Sequence, residues 1–228
     1  MAHSNLFPDI KKQQKALQIM ERLYKVYPKP YVELDYTSAW ELLVATILAA
    51  QCTDKLVNTV TPALFKKYPD VNHMASASVE DIDRLITKVT FHTNKAKNIK
   101  ASAEIIVKQY DGKVPDNMEE LDALPGVARK TANVVLNNAY KKPFGIVIDT
   151  HGIRLSQKLG LSDQKTPEKI EQDLMQLVPR EKWIDFGNLI TLHGRHKCVS
   201  REHTCEDCPL GDLCPEYAVW SRMDYGKN

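Results

Sequence analysis

The stretch Leu124-Pro-Gly-Val-Ala-Arg-Lys-Thr-Ala-Asn-Val-Val135 stops one helical pattern at a Pro-Gly turn and starts another within a few residues. A glycine at such a turn lets backbone N–H groups approach a ligand closely, and the helix that follows points its positive N-terminus at whatever lies in front. That arrangement suits a phosphate and reads no bases. Gly126, Ala128, Arg129 and Thr131 are therefore candidate contacts to a nucleic-acid backbone. An ordinary helix–helix turn has the same signature, so the assignment needs support from the rest of the chain.

Outward from the hairpin, apolar residues keep a helical period almost throughout. Between Gln13 and Tyr27, one face collects Ala16, Ile19, Met20, Leu23, Tyr24 and Tyr27 before Pro28 and Pro30 end the helix. Ser38 and Glu41 form a capping-box pattern that opens a helix to about Gln51. Further helices are expected over 54–68, 79–89, 95–110, 128–140, 150–159, 167–178 and 182–196, with a short acidic turn at 117–123. Thr166 is placed as a cap, with Pro167 in the first helical position. Phe144-Gly-Ile-Val-Ile148 is the one candidate strand, too short and solitary to build a sheet. The class is all-α. With 9 glycines in 228 residues, about 4% against the usual ~7%, long helices and few tight hairpins are expected. Trp40, Trp183 and Trp220 fall on helix faces and read as core.

Bulk numbers choose no partner. The net charge is +2, from 31 Lys+Arg against 29 Asp+Glu, and no stretch approaches the ~20 apolar residues of a spanning helix. Local charge is more informative: Lys88 to Lys100 holds four lysines and no acid, a possible phosphate track through Lys95 or a solvated helix face. The first residues show no basic-then-apolar signal and no Arg-rich leader, which sets a reducing bacterial or archaeal cytoplasm as the expected compartment.

In that compartment clustered cysteines read as metal ligands rather than disulfides. Cys198, Cys205, Cys208 and Cys214 are spaced Cys-x6-Cys-x2-Cys-x5-Cys. Four-cysteine zinc modules usually show two Cys-x2-Cys knuckles and this run has one, so the compact, unequal spacing fits a [4Fe–4S] cluster better than zinc. With cysteine at every ligand position, the group would fold and hold a loop. That loop carries Arg195, Lys197 and Arg201 with His196 and His203, and Glu202 is its one acid before Cys205. Arg201 is accordingly a candidate phosphate contact. Cys52, the odd cysteine, reads as a small buried hydrophobe.

Lys130 sits in the first turn after the hairpin, where the helix N-terminus and Arg129 favour the free, nucleophilic amine. About nineteen residues on, Ile146-Val-Ile-Asp149-Thr-His151 delivers an aspartate at the mouth of a helix, a position often filled by a mere N-cap. Together with a DNA-binding hairpin the pair supports a sharper chemistry. A lysine amine can displace a base from C1′ of a deoxynucleotide while a carboxylate stabilises the oxocarbenium-like sugar, and the resulting Schiff base acidifies C2′ for β-elimination.

These residues resemble the endonuclease III family of the helix-hairpin-helix DNA glycosylases, in its iron–sulfur branch. Leu48-Ala-Ala-Gln-Cys-Thr-Asp54, Asn94-Lys-Ala-Lys-Asn-Ile99 and Leu192-His-Gly-Arg195 extend the likeness over almost the whole chain. The resemblance implies a six-helix barrel lobe at 32–143 and a discontinuous [4Fe–4S] lobe from 1–31 plus 144–228. It implies a monomeric bifunctional glycosylase and abasic-site lyase of base excision repair, acting on oxidised pyrimidines in damaged double-stranded DNA. Lys130 would be the Schiff-base nucleophile, Asp149 its carboxylate, and the four cysteines the cluster ligands. Gln51 would fill the hole left by a flipped nucleotide, Phe91 would wedge the stack with His92 as a further DNA contact, and Asp122 would line the pocket. Adenine-mismatch relatives lack this lysine.

The chain departs from the family pattern at Thr90, where glycine is typical and a β-branched residue resists positive φ, at His92 in place of Tyr, at Ala128 in place of Gly, and at Gly152 in place of an apolar residue. Two alternatives stay open on the residues alone. One is a non-catalytic hairpin DNA-binding protein with structural zinc, and the other is a monofunctional mismatch glycosylase.

Overall fold

The computed structural model describes residues 9–201 and 205–217. Glu202, His203 and Trp220 lie outside the described residues. Among those described there is no strand; 144–148 runs as irregular backbone. No described helix is long and apolar enough to cross a membrane. The backbone divides into two compact units, one made of 1–31 with 145–228, the other of 32–144.

The second unit is organised by helix α2 (Ala39–Ala49), in which Trp40, Leu42, Leu43, Val44, Ala45, Ile47 and Leu48 are all buried. A helix apolar on every side must be surrounded, and α3 (Asp54–Lys67), α6 (His92–Tyr110) and α8 (Arg129–Asn138) pack against it. The capping box at its start is shifted by one residue. Ser38 Oγ accepts from the Glu41 N–H at 3.2 Å, but Glu41 Oε2 reaches back to the N–H and hydroxyl of Thr37 instead of Ser38. Short helices α4 (Val71–Ser76) and α5 (Val79–Leu85) pack on α6, and α7 (Met118–Asp122) packs on α8.

In the other unit, α1 (Ile10–Val26) buries Ala16, Ile19, Met20 and Leu23 against α10 (Pro167–Leu177) and α11 (Trp183–His196), while α9 (Thr150–Lys158) packs on α10 and α11. Asp9 caps α1 by accepting from the N–H groups of Lys11 and Lys12. Thr166 stands at the N-cap of α10 but makes no side-chain cap bond, and Pro167 alone sets the start. Trp40 is buried, and Trp183 is half-buried with its indole N–H donating to the Val178 carbonyl at 2.8 Å.

Several boundaries differ from the periodic pattern, and α1 already begins at Ile10, three residues before Gln13. Helix α4 is a single capped turn and a half, too short to show a period. The run expected over 79–89 ends at Leu85, and α6 begins at His92, three residues before the expected Lys95. The polar residues His92, Thr93 and Asn94 hide the first turn of α6, whose opening bond runs from the Lys95 N–H to the Phe91 carbonyl at 3.1 Å.

Because Leu43 is fully buried in the surrounded helix, Leu43→Ala should cost roughly 2–5 kcal/mol by removing apolar packing and leaving a cavity. Urea denaturation should show a lower midpoint at unchanged slope. Lys113→Ala, at an exposed position, should stay within about 0.5 kcal/mol.

Candidate active site

The hairpin forms where the Pro-Gly turn placed it. Gly126 has φ +77°, and a Cβ built there would stand 2.7 Å from Asn98 Nδ2 and 2.8 Å from Asn98 Cβ. Glycine is thus required twice, by the left-handed backbone and by the pressure of α6 against the turn. Ser102, one turn further along α6, donates its hydroxyl to the Pro125 carbonyl at 2.9 Å. Helix α8 then opens at Arg129 with Ala128 as N-cap and no side-chain cap bond, so no side chain competes for its first N–H groups. Ala128, Arg129 and Lys130 are exposed and Thr131 half-buried on that turn. The Arg129 guanidinium lies 5.5 Å from the centre of the Phe144 ring. Ala128 in place of a second glycine meets no obstacle, because its backbone is extended, at φ −106°.

Gln51 and Phe91 both lie on exposed turns and both adopt left-handed backbone, at φ 57° and 55°. The positive φ that Thr90 resists therefore falls on Phe91, a residue 62% exposed. The two turns are joined: Thr90 Oγ1 donates to the Gln51 carbonyl at 3.0 Å and lies 2.8 Å from Cys52 Sγ. His92 Nδ1 sits 2.5 Å from Asp83 Oδ1 on α5. Asp122 is exposed at the end of α7.

Lys95 corrects the phosphate-track reading. It is buried, and its ammonium donates to the Leu48 and Ala50 carbonyls at 2.8 and 2.5 Å, with Cys52 Sγ at 3.7 Å. Burial pulls its pKa below the ordinary lysine value. A charge committed to the end of α2 is not offered to a phosphate. Cys52 is likewise not a buried hydrophobe: it is half-buried and hydrogen-bonded. The clue to Lys95 is in the period, since Lys95, Ile99, Ser102 and Ile106 share one buried face of α6.

In the other unit Asp149 caps α9. Its Oδ1 accepts from the Gly152 N–H at 2.8 Å, while Oδ2 lies 3.8 Å from Arg195 on α11. A Cβ at Gly152 would meet only ordinary contacts, so its departure from the family pattern leaves the carboxylate's setting intact. Gly194 is different: a Cβ there would come within 2.7 Å of His151 Cβ, so glycine lets α11 pass close to α9. Arg195, expected on the basic loop, instead faces Asp149.

Cys198, Cys205, Cys208 and Cys214 line one cavity, with Leu155 and His193 among its walls. Successive tight turns bring them round: the Cys208 N–H donates to the Cys205 carbonyl, Gly211 to Cys208, and Cys214 to Gly211. Arg154 clamps the start of the loop by donating to the carbonyls of Gly194 and Cys198, and Arg22 holds its far side through Asp212 and the Pro209 carbonyl. Burial pushes the Cys198, Cys205 and Cys208 thiols up, so these sulfurs stay protonated unless a metal takes the proton's place. Among the described residues, no three His, Cys, Asp or Glu side chains converge closely enough to hold one metal ion. Arg201 is exposed at the end of the described segment.

This combination of an all-α fold, a phosphate-type hairpin and a four-cysteine loop defines the class. Residues 44–180 match the family model for the HhH-GPD superfamily of base excision DNA repair proteins. Endonuclease III of Synechocystis sp. is 50% identical over 204 residues, covering 90% of this chain and 93% of the relative. Endonuclease III of Escherichia coli K12 is 38% identical over 200 residues, 88% and 94% of the two chains. Two solved structures, a non-covalent endonuclease III–DNA complex and a trapped endonuclease III–DNA covalent intermediate, each match with TM-score 0.85 and 36% identity over 91% of this chain and 97% of theirs. The chain belongs to the endonuclease III family of that superfamily.

Gly126→Ala should destabilise the protein by roughly 1–3 kcal/mol through overpacking and left-handed strain. Adding Asn98→Ala should recover part of the loss in thermal melts, because it removes the atoms the new methyl strikes. Equal losses with and without Asn98 would mean that the φ alone demands glycine.

Proposed function

We propose that this protein is a base excision DNA glycosylase and abasic-site lyase that removes oxidised pyrimidines from damaged duplex DNA, with Lys130 as nucleophile and Asp149 as its carboxylate. The observation that carries the reading is the likeness, over nine-tenths of this chain, to an endonuclease III structure trapped as a covalent DNA intermediate. Neither the zinc-module reading nor the monofunctional reading has a comparable observation behind it.

The hairpin from Gly126 to Thr131 binds the DNA backbone through N–H groups and the positive end of α8. Phe91, beside His92, enters the stack, and Gln51 takes the space of the everted nucleotide, so that protein groups replace the stacking and pairing that flipping removes. The Lys130 Nζ attacks C1′, and the base leaves with the electron pair of the C1′–N bond and picks up a proton. The Asp149 carboxylate, oriented by the Gly152 N–H and Arg195, stabilises the positive sugar and accepts a proton from the attacking amine. The ring C1′–O bond then opens to the protonated imine. Loss of the C2′ proton expels the 3′ phosphate, and water releases the lysine.

The cysteine loop fits a [4Fe–4S] cluster, since its four thiols line one cavity at compact, unequal spacing, and each iron of a cluster takes its own thiolate. Cys198, Cys205, Cys208 and Cys214 would hold it, and when bound it supplies rigidity to the loop that carries Arg201. We place the activity in the bacterial or archaeal cytoplasm, on nucleoid DNA, with the protein acting as a monomer.

Borohydride should trap wild-type protein covalently on duplex carrying an abasic site or thymine glycol. Lys130→Ala should abolish the adduct, and a mutant that still trapped would sink the assignment. Asp149→Asn should slow excision roughly 10²–10⁴-fold. Purified protein should be brown and contain about four irons with matching sulfide, and Cys208→Ser should lower both. Zinc in their place would favour the structural-zinc reading.

A further inference from the structure

We propose that Cys52 and Thr90 are positioning residues that lock the turn carrying Gln51 to the turn carrying Phe91, so that the two side chains enter damaged DNA at a fixed separation. The proposal rests on the roles given to Gln51 and Phe91 above.

The hydrogen bonds at this junction close only one way. A threonine hydroxyl has one proton, and the geometry directs it to the Gln51 carbonyl at 3.0 Å. The 2.8 Å contact between Thr90 Oγ1 and Cys52 Sγ is then donated by the thiol, and the Thr90 N–H returns to the same sulfur at 3.3 Å. Below, the buried Lys95 ammonium holds the Leu48 and Ala50 carbonyls and lies 3.7 Å from Cys52 Sγ. Two turns almost forty residues apart in sequence are thereby joined by three hydrogen bonds and seated on a fourth group. A glycine at 90, typical of the family, would keep the N–H bond and lack both hydroxyl bonds.

The arrangement is poorly suited to a purely structural role. Gln51, Thr90 and Phe91 are exposed and Cys52 is half-buried, and neutral hydrogen bonds with access to water add little net stability. What they do fix is the distance between two left-handed turns. A residue that fills a vacated space and one that wedges the neighbouring stack act on the same step of the duplex, where small misplacements are costly in rate.

The test is single-turnover excision from a duplex bearing one thymine glycol. Thr90→Val keeps the shape and removes the hydroxyl. It should slow excision about fivefold, the equivalent of about 1 kcal/mol for two water-accessible hydroxyl bonds together, with affinity for undamaged duplex unchanged; Thr90→Ser should restore the rate. Cys52→Ala should give a loss of similar size and serves if Thr90→Val fails to fold. The deciding arm is a double-mutant cycle. In a Phe91→Ala background the Thr90→Val effect should vanish, because Gln51 then has no wedge to be held at a fixed separation from. The same fivefold loss in both backgrounds, or no loss in either, overturns the proposal while leaving the enzyme reading intact. Wild-type protein that neither excises nor traps overturns both.

Discussion

The ammonium of Lys95 lies where water would normally satisfy the end of a helix. Helix α2 is surrounded by apolar neighbours, so the carbonyl of buried Leu48 needs a partner from the protein, and Lys95 supplies one to it and to the more exposed Ala50 carbonyl. Burying an ammonium is unfavourable, which is why its pKa is depressed. Three effects offset that cost: two short charge-assisted bonds, the negative end of the α2 dipole, and the avoidance of an orphaned Leu48 carbonyl at roughly 1–3 kcal/mol. A methionine of similar length would remove the desolvation penalty and leave the buried Leu48 carbonyl bare. Because Lys95 belongs to α6, the bond also fixes how far α6 reaches past the end of α2, and with it the register of everything α6 carries.

Helix α6 carries much. Its first turn begins at Phe91, its second supplies Asn98 against Gly126, and its third supplies Ser102 to the Pro125 carbonyl. The wedge turn and the phosphate hairpin are therefore placed by one rigid rod. The left-handed residues Gln51 and Phe91 each cost on the order of 1–3 kcal/mol and persist where the surrounding structure over-determines their conformation. Lys95, Cys52 and Thr90 provide that constraint at the junction.

Much of this is legible in the sequence, and what is not has definite causes. The surrounded helix, the Pro-Gly hairpin and the cysteine spacing each depend on local chemistry that a single chain displays. Helix α4 is illegible because one and a half turns carry no period, and the start of α6 because polar residues occupy its first turn. Lys95 and Cys52 mislead because a lysine's default is solvent and a lone cysteine's default is packing; only the neighbour each meets in space reverses those defaults. Thr90 looks incompatible with its loop only if the positive φ is placed one residue too early.

Asp149 shows why a bland reading and a functional one need not compete. An N-cap uses one carboxylate oxygen, and here Oδ1 is held by the Gly152 N–H. The cap leaves Oδ2 with lone pairs, facing Arg195 at 3.8 Å, too long for a tight ion pair. Side-chain exposure at Asp149 is only 11%, so the carboxylate has little freedom to rotate. A group intended to stabilise developing positive charge gains from being ionised, oriented and incompletely neutralised before the substrate arrives. The cap supplies the orientation, and the distance to Arg195 leaves the charge available. The close pass of α11 at Gly194 brings Arg195, the next residue, within reach of that oxygen.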